Sequence, residues 1–328
     1  MRAVIDGHND VLTCLQEGGS PSITVESARA GGLAAGLFAV LAPVPPFEIA
    51  RTAGGYEIPL SPEVPWDVAA VTVGSLAARL FRRDDLRVVR DVADLEACLA
   101  GEALGAVLHF EGAEPIDPSL DALDVWYAAG LRSLGIVWSR PNAFGHGVPF
   151  RFPSSPDTGP GLTEAGVALV RRCNELGVAI DLSHLNEAGF WDVARVSERP
   201  LIASHSGVHA LCPSARNLTD DQLDAIASSG GLVGVNFDVG SLRADGGDDP
   251  DTPLSRIADH ARYIADRCGV DHVALGSDFD GARMPRELVD ASGFPLVLDA
   301  LADAGFSDDE LDRIAWRNWR RVLVAAWD

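Results

Sequence analysis

The stretch VIDGHNDVL, residues 4–12, sets Asp6, His8 and Asp10 inside a run whose other residues read as a buried β-strand. Burying an unpaired charge costs on the order of several kcal/mol, so three ionisable groups in the first apolar element demand partners. A strand offers a way to gather them. Side chains alternate across it, so His8 and Asp10 project to the same side, with Asp6 sharing that alternation one step deeper.

The pattern recurs along the chain. After AVIDGHND (3–10) come GLFAVLAP (36–43), GAVLHFEG (105–112), LRSLGIVWS (131–139), LGVAIDLSH (176–184), PLIASHSG (200–207), GLVGVNF (231–237) and HVALGSDFDG (272–281), each followed by a helix-like segment. Strands alternating with helices imply parallel βαβ units. Eight of them in 328 residues predict an α/β fold, a (β/α)₈ TIM barrel, with residues 1–328 forming one domain. Helix signals fit this reading: Thr219 with Gln222 and Ser307 with Glu310 have capping-box form, and Leu169, Val170, Cys173 and Leu176 make an apolar stripe for the barrel's outside. Two Pro/Gly-rich stretches, 42–65 and 140–161, and a polar one at 239–253 interrupt the rhythm, and loops of this length tend to be functional.

Composition narrows the function. The net charge of −22 repels phosphate backbones and anionic lipid, so neither nucleic acid nor a membrane surface is expected as a partner, and a small-molecule substrate is. Five cysteines, widely spaced and without a CxxC pair, read as reduced small hydrophobes. With no leader-like start and no membrane-length apolar run, the chain is expected to be cytoplasmic and complete from Met1.

Barrel enzymes carry their reactive groups where strands end. Five of the runs end in a possible metal ligand or acid: His8 with Asp10, Glu111, His184, His205 and Asp278. Imidazoles and carboxylates in this number suffice for two divalent ions, and nitrogen with oxygen donors suits zinc. The chain contains no lysine, so a carbamylated lysine cannot bridge the ions. Glu111 is the best-placed carboxylate for that task. A metal-bound hydroxide would then attack a polarised carbonyl, with Asp278 free to shuttle protons.

DGHNDVL (6–12), FEGAEPID (110–117), GLTEAGVALVRRCNELGVAIDLSH (161–184), ASHSG (203–207), SARNLTDDQL (214–223) and GSDFDG (276–281) together resemble the renal (membrane) dipeptidase family of zinc peptidases, in the same order and over nearly the whole chain. The resemblance implies two zinc ions per chain, with His8 and Asp10 on one, His184 and His205 on the other, and Glu111 bridging. It implies that Arg216 grips the substrate's C-terminal carboxylate, a task suited to a planar guanidinium. It further implies that Asp278 moves the proton from the hydroxide to the leaving amine, that dipeptides, including those with a C-terminal D-residue, are substrates, and that the protein is a homodimer.

One position departs from the family. Trp138 stands where the family carries a substrate-contacting histidine after its fourth strand. His146, in the loop NAFGHG, is the candidate to replace it, and Trp138 itself is a candidate pocket wall. The departure keeps a second reading open, a related zinc hydrolase of another N-acyl amino acid, lactam or lactone. A catalytically silent metal-binding protein is the third. His109 is expected to be a packing residue, Asp280 a turn former, and His209, His260 and His272 structural or surface residues.

Overall fold

The computed structural model describes residues 2–44, 50–52, 55–58 and 60–328. Its main sheet runs in chain order through β1 (Val4–Asn9), β2 (Leu33–Leu41), β3 (Leu104–Glu111), β4 (Leu131–Gly135), β5 (Ala179–Asp181), β6 (Ile202–Ser206), β7 (Leu232–Asn236) and β8 (Val273–Gly276). Every neighbouring pair along this path is parallel. The sheet curls until β1 meets the chain just beyond β8, where the Asp278 N–H donates to the His8 carbonyl oxygen at 2.9 Å and the Asp10 N–H to that of Phe279 at 2.8 Å. The expected α/β barrel is therefore present, with all eight runs as its strands. Leu86–Val88 adds a short parallel strand beside β3.

Asp6 differs from its expected place. Its carboxylate accepts from the Ser277 N–H at 2.7 Å and the Ser277 hydroxyl at 2.9 Å, and from Asn9 Nδ2 at 3.4 Å. The register of β1 is irregular between Asp6 and Asn9, and this breaks the simple alternation that would have aimed Asp6 inward. Asp6 fastens the seam between the first and last strands.

The floor of the barrel is filled from the far end of the chain. Trp319, on the helix Asn318–Trp327, is fully buried and donates its indole N–H to the Leu275 carbonyl oxygen at 2.9 Å. It packs with Ile5, Val107, Ile202 and Ala274 in one apolar cluster. Gly7 is glycine for this reason, since a Cβ there would fall 2.4 Å from both the Trp319 ring and the Ser204 carbonyl oxygen. The larger cluster lies outside the sheet, where the helix Glu164–Leu176 buries Leu169, Val170 and Cys173. Both expected capping boxes form, at Thr219 and at Ser307. No helix among the described residues is long and apolar enough to cross a membrane.

The two Pro/Gly-rich interruptions meet one another. Strands Ala50–Thr52, Gly55–Ile58 and Phe150–Phe152 form a small antiparallel sheet, with Ile58 opposite Phe150. Residues 45–49, 53–54 and 59 of the first stretch lie outside the described residues.

The loop after β6 is held by His260, a buried residue of the helix Ser255–Cys268. Its Nδ1 accepts from the Val208 N–H at 2.9 Å, so its Nε2 carries the proton and donates to the Leu242 carbonyl oxygen at 3.1 Å. Burial pushes its pKa down to about 4. Between about pH 6.5 and pH 4 the unfolded chain binds the proton that the folded chain refuses, so stability is full above pH 6.5 and falls as pH drops toward 4, by about 3 kcal/mol in all. Chemical denaturation of wild type and His260→Gln across pH 4–7.5 should therefore give a flatter pH dependence for the variant, and parallel curves would show that His260 does not carry this dependence.

Candidate metal centre

The strand ends bring six of the expected side chains into one buried cluster. His8 Nε2 lies 3.4 Å from Asp10 Oδ2 and 3.7 Å from Glu111 Oε1. The same Glu111 oxygen is 3.0 Å from His184 Nε2 and 3.7 Å from His205 Nε2, and those two nitrogens face each other at 3.1 Å. The His8 and His205 rings stack with centroids 3.8 Å apart. Three sets of groups among the described residues have donor atoms mutually within 4.8 Å: Glu111, His184 and His205; His8, Asp10 and Asp278; and His8, Asp181 and His205.

The residues fit divalent cations on chemical grounds. His8 is fully buried, yet neither of its ring nitrogens has a hydrogen-bond partner among the described residues; its approach to Asp10 is a long ion-pair contact. A buried imidazole left so is costly unless something else binds it. Burial opposes charge on His8, but Glu111 and Asp10 around it carry its pKa up to about 10. Burial, together with the charges of Asp10 and Asp278, drives the Glu111 carboxyl well above the ordinary range. His184 and His205 go the other way. Burial and the positive charges of Arg216 and His8 hold both well below 6.5, neutral and with lone pairs to give. Excess negative charge beside neutral imidazoles is a cation site in electrostatic form.

Hydroxyls set the orientation of the rings. Ser204 Oγ donates to Asp181 Oδ2 at 2.5 Å, so at 2.8 Å from His205 Nδ1 it can only accept, and this places the imidazole proton on Nδ1 and the lone pair on Nε2, facing the centre. Ser139 Oγ lies 2.7 Å from His184 Nδ1. Asp181 also accepts from the N–H groups of Ser183 and Ser204, at 3.0 and 2.7 Å. Burial alone would raise Asp181; His109 beside it and the Ser204 and Ser183 donors hold it below the usual carboxylate range. His109 is a packing residue bonded to Ser133 at 2.9 Å, and burial pushes its pKa down to about 4.

Asp278 sits at φ 63° and His184 at φ 67°, backbone conformations costing about 1–3 kcal/mol that persist where surrounding contacts enforce them. Asn236 Nδ2 donates to Asp278 Oδ2 at 2.9 Å. Burial and the neighbouring Asp10 push Asp278 up to about 6, against the pull of His8. Asp280, at φ 69°, instead accepts from the N–H and hydroxyl of Ser22 and shapes the turn. Arg216 is buried over the same cavity and donates to the His205 carbonyl oxygen at 3.1 Å. Trp138 lines the cavity too, its ring 5.9 Å from that of His184.

His146 is not brought to this place. Its ring is bonded to the Gly161 carbonyl oxygen at 3.1 Å, and its own carbonyl accepts from the Asn186 N–H, so the loop points it away from the cavity lining. Asp181, Ser204, Ser139 and Asn236 were not singled out from sequence. Asp181 gives the same signal as Asp6, an acid inside an otherwise apolar strand run; the others give none that distinguishes them from ordinary polar residues.

Residues 2–327 match the family described as membrane dipeptidase, peptidase family M19. The chain belongs to the membrane dipeptidase family. Its barrel superposes on that of dipeptidase AC, a metallopeptidase of this family, with a TM-score of 0.94 and 41% identity over 99% of both chains. A metallopeptidase from Rhodobacter sphaeroides, liganded with a phosphinate mimic of the dipeptide L-Ala-D-Ala, gives 0.93 and 40% over 99% of both chains. An uncharacterised protein from the pqqA 5′ region of Klebsiella pneumoniae is 51% identical over 242 residues, which is 74% of this chain and 89% of that one. As a member of this metallopeptidase family the chain is a metal-dependent hydrolase of the dipeptidase class.

If Ser204 fixes the tautomer of His205, Ser204→Ala should weaken divalent-cation affinity by about 10- to 100-fold. Titration of the metal-free protein reads this directly. An unchanged affinity would remove the orienting role.

Proposed function

We propose that this membrane dipeptidase family member hydrolyses dipeptides at a pair of zinc ions, with His8 and Asp10 holding one ion, His184 and His205 the other, and Glu111 bridging both. The observation that carries the reading is the shared approach of three imidazoles to one Glu111 oxygen beneath a cavity that also contains Arg216 and Asp278. Imidazole and carboxylate donors favour zinc among the common divalent ions. Such a pair, when bound, supplies a nucleophile from water near neutral pH and polarises the scissile carbonyl.

The chain's own residues do the rest. Arg216, fixed by the His205 carbonyl oxygen, binds the substrate's C-terminal carboxylate and sets the register of the peptide. Asn236 occupies Asp278 Oδ2 and leaves Oδ1 to take a proton and return it to the leaving amine. A carboxyl lifted to about 6 is matched to both halves of that transfer near neutral pH. Dipeptides with a C-terminal D-residue are included among the substrates, a reading supported by the L-Ala-D-Ala mimic on the Rhodobacter sphaeroides relative. The whole chain serves as one catalytic unit, and its five free cysteines accord with a reducing compartment such as the cytoplasm.

Asp278→Asn should lower kcat by about 10²- to 10⁴-fold while metal analysis still finds two ions per chain. Undiminished turnover would end the proton-transfer role. Arg216→Met should reduce kcat/KM by about 100-fold or more for dipeptides with a free carboxylate, and much less for their amides. Equal losses for both would end the clamp.

A further inference from the structure

A histidine that ligates a metal almost always donates its other ring N–H to a fixed partner such as a carboxylate, a backbone carbonyl or a water, and that partner holds the ring in place. Two of the three imidazoles at the centre have a partner on that side: His184 Nδ1 meets Ser139 Oγ at 2.7 Å and His205 Nδ1 meets Ser204 Oγ at 2.8 Å. His8 differs. Its Nε2 is turned to Asp10 and Glu111, and its Nδ1, in a fully buried ring, has no hydrogen-bond partner among the described residues.

Two groups beside that ring can supply what it lacks. His109, two residues before Glu111 on β3 and fully buried, packs edge to face with His8, the rings at 81° and their centroids 5.3 Å apart. Its Nδ1 is engaged at 2.9 Å by Ser133 Oγ, from the residue opposite it on β4. Its Nε2, like His8 Nδ1, is buried without a hydrogen-bond partner among the described residues, and it lies 3.6 Å from Asp181 Oδ2. That is too long for a direct hydrogen bond and is a spacing that a water can bridge. Asp181, the last residue of β5, also brings a carboxylate oxygen within 4.8 Å of a ring nitrogen of His8. Two orphaned imidazole nitrogens and a carboxylate oxygen are the three polar partners that an interior water typically has. The hydrogen count closes for either tautomer of His109. Such a water accepts the His8 Nδ1–H, donates one hydrogen to Asp181, and either donates the other to His109 Nε2 or accepts from its N–H.

We propose that His109 is a positioning residue for His8: with Asp181 it holds a buried water that takes the His8 Nδ1–H and so fixes the imidazole with Nε2 toward its ion. The proposal rests on the ligand set given above, in which His8 and Asp10 hold one of the two ions. It gives Asp181 two tasks, because the Ser204 hydroxyl that orients His205 donates to the same Oδ2. Ser204 thereby serves one ion and His109 the other.

The test is stepwise titration of the metal-free protein with Co²⁺, followed by visible absorption, the binding phase that Asp10→Ala removes being assigned to the His8 ion. His109→Phe keeps a ring without its nitrogens and should weaken that phase by about 10- to 100-fold while moving the other by less than about threefold. His109→Gln, whose amide reaches the place of Nε2, should recover most of the loss, and Ser204→Ala should show the opposite pattern between the two phases. A general loosening of the barrel lowers both phases together, so the ratio of the two affinities is the readout. A crystal structure of the zinc-loaded wild type should show one water within hydrogen-bond distance of His8 Nδ1, His109 Nε2 and Asp181, and it decides the matter should His109→Phe fail to fold. An unchanged ratio in His109→Phe, or no water at that place, overturns the positioning role and leaves the ligand set standing. An Asp10→Ala protein that keeps both phases overturns the ligand set and the positioning role together.

Discussion

One carboxylate oxygen, Oε1 of Glu111, lies 3.0 Å from His184 Nε2 and 3.7 Å from both His8 Nε2 and His205 Nε2. Four strands converge on that atom, and their side chains are nearly or fully buried. So much ionisable material in a low-dielectric interior is tolerable only when its charges are matched. Without a cation, matching falls to protons, which is why His8 is carried up to about 10 and Glu111 well above its usual range while His184 and His205 stay neutral. Cations would replace those protons, linking metal affinity to pH and to folding.

The rest of the barrel can be understood as the means of holding this convergence still. The seam at Asp6 and Ser277 fixes β1 against the end of β8, and so fixes His8 and Asp10 relative to Asp278. Trp319 fills the floor, where a tight backbone approach requires Gly7 directly beside His8. Asp181 and Ser204 lock His205 from behind. His260 and Asn217 secure the loop that carries Arg216, with Asn217 accepting from the Gly207 N–H at 2.9 Å and donating to the Cys212 and Ser241 carbonyl oxygens. These supports come from segments far apart in sequence, so the centre cannot form before the barrel closes.

This division explains what the sequence made legible. Eight apolar runs separated by helical segments define a barrel because strand and helix periodicities are local properties. Ligand candidates stand out as charged residues at the ends of apolar runs, a contrast visible without any partner. Asp6 was legible as anomalous and illegible as to destination, since the register irregularity that turns it to Ser277 is a tertiary effect. The small sheet of Gly55–Ile58 and Phe150–Phe152 was hidden for a related reason: its strands are short, flanked by Pro and Gly, and pair across about a hundred residues of chain. His146 read as a candidate because a glycine-flanked loop histidine looks free, whereas the Gly161 carbonyl that captures it is set by the fold.

Trp138 shows how one side chain can shape the space beside a fixed centre. An imidazole at that position could donate to a developing oxyanion; an indole offers a single N–H donor and a large apolar face. Here the indole meets Phe150 edge to face at 5.5 Å and lies 5.9 Å from the His184 ring, so the position contributes shape to the cavity. On the proposed mechanism the charge that develops during amide hydrolysis is met by the cations, because Trp138 lines the cavity with an apolar ring and Arg216 is taken up by the substrate's carboxylate.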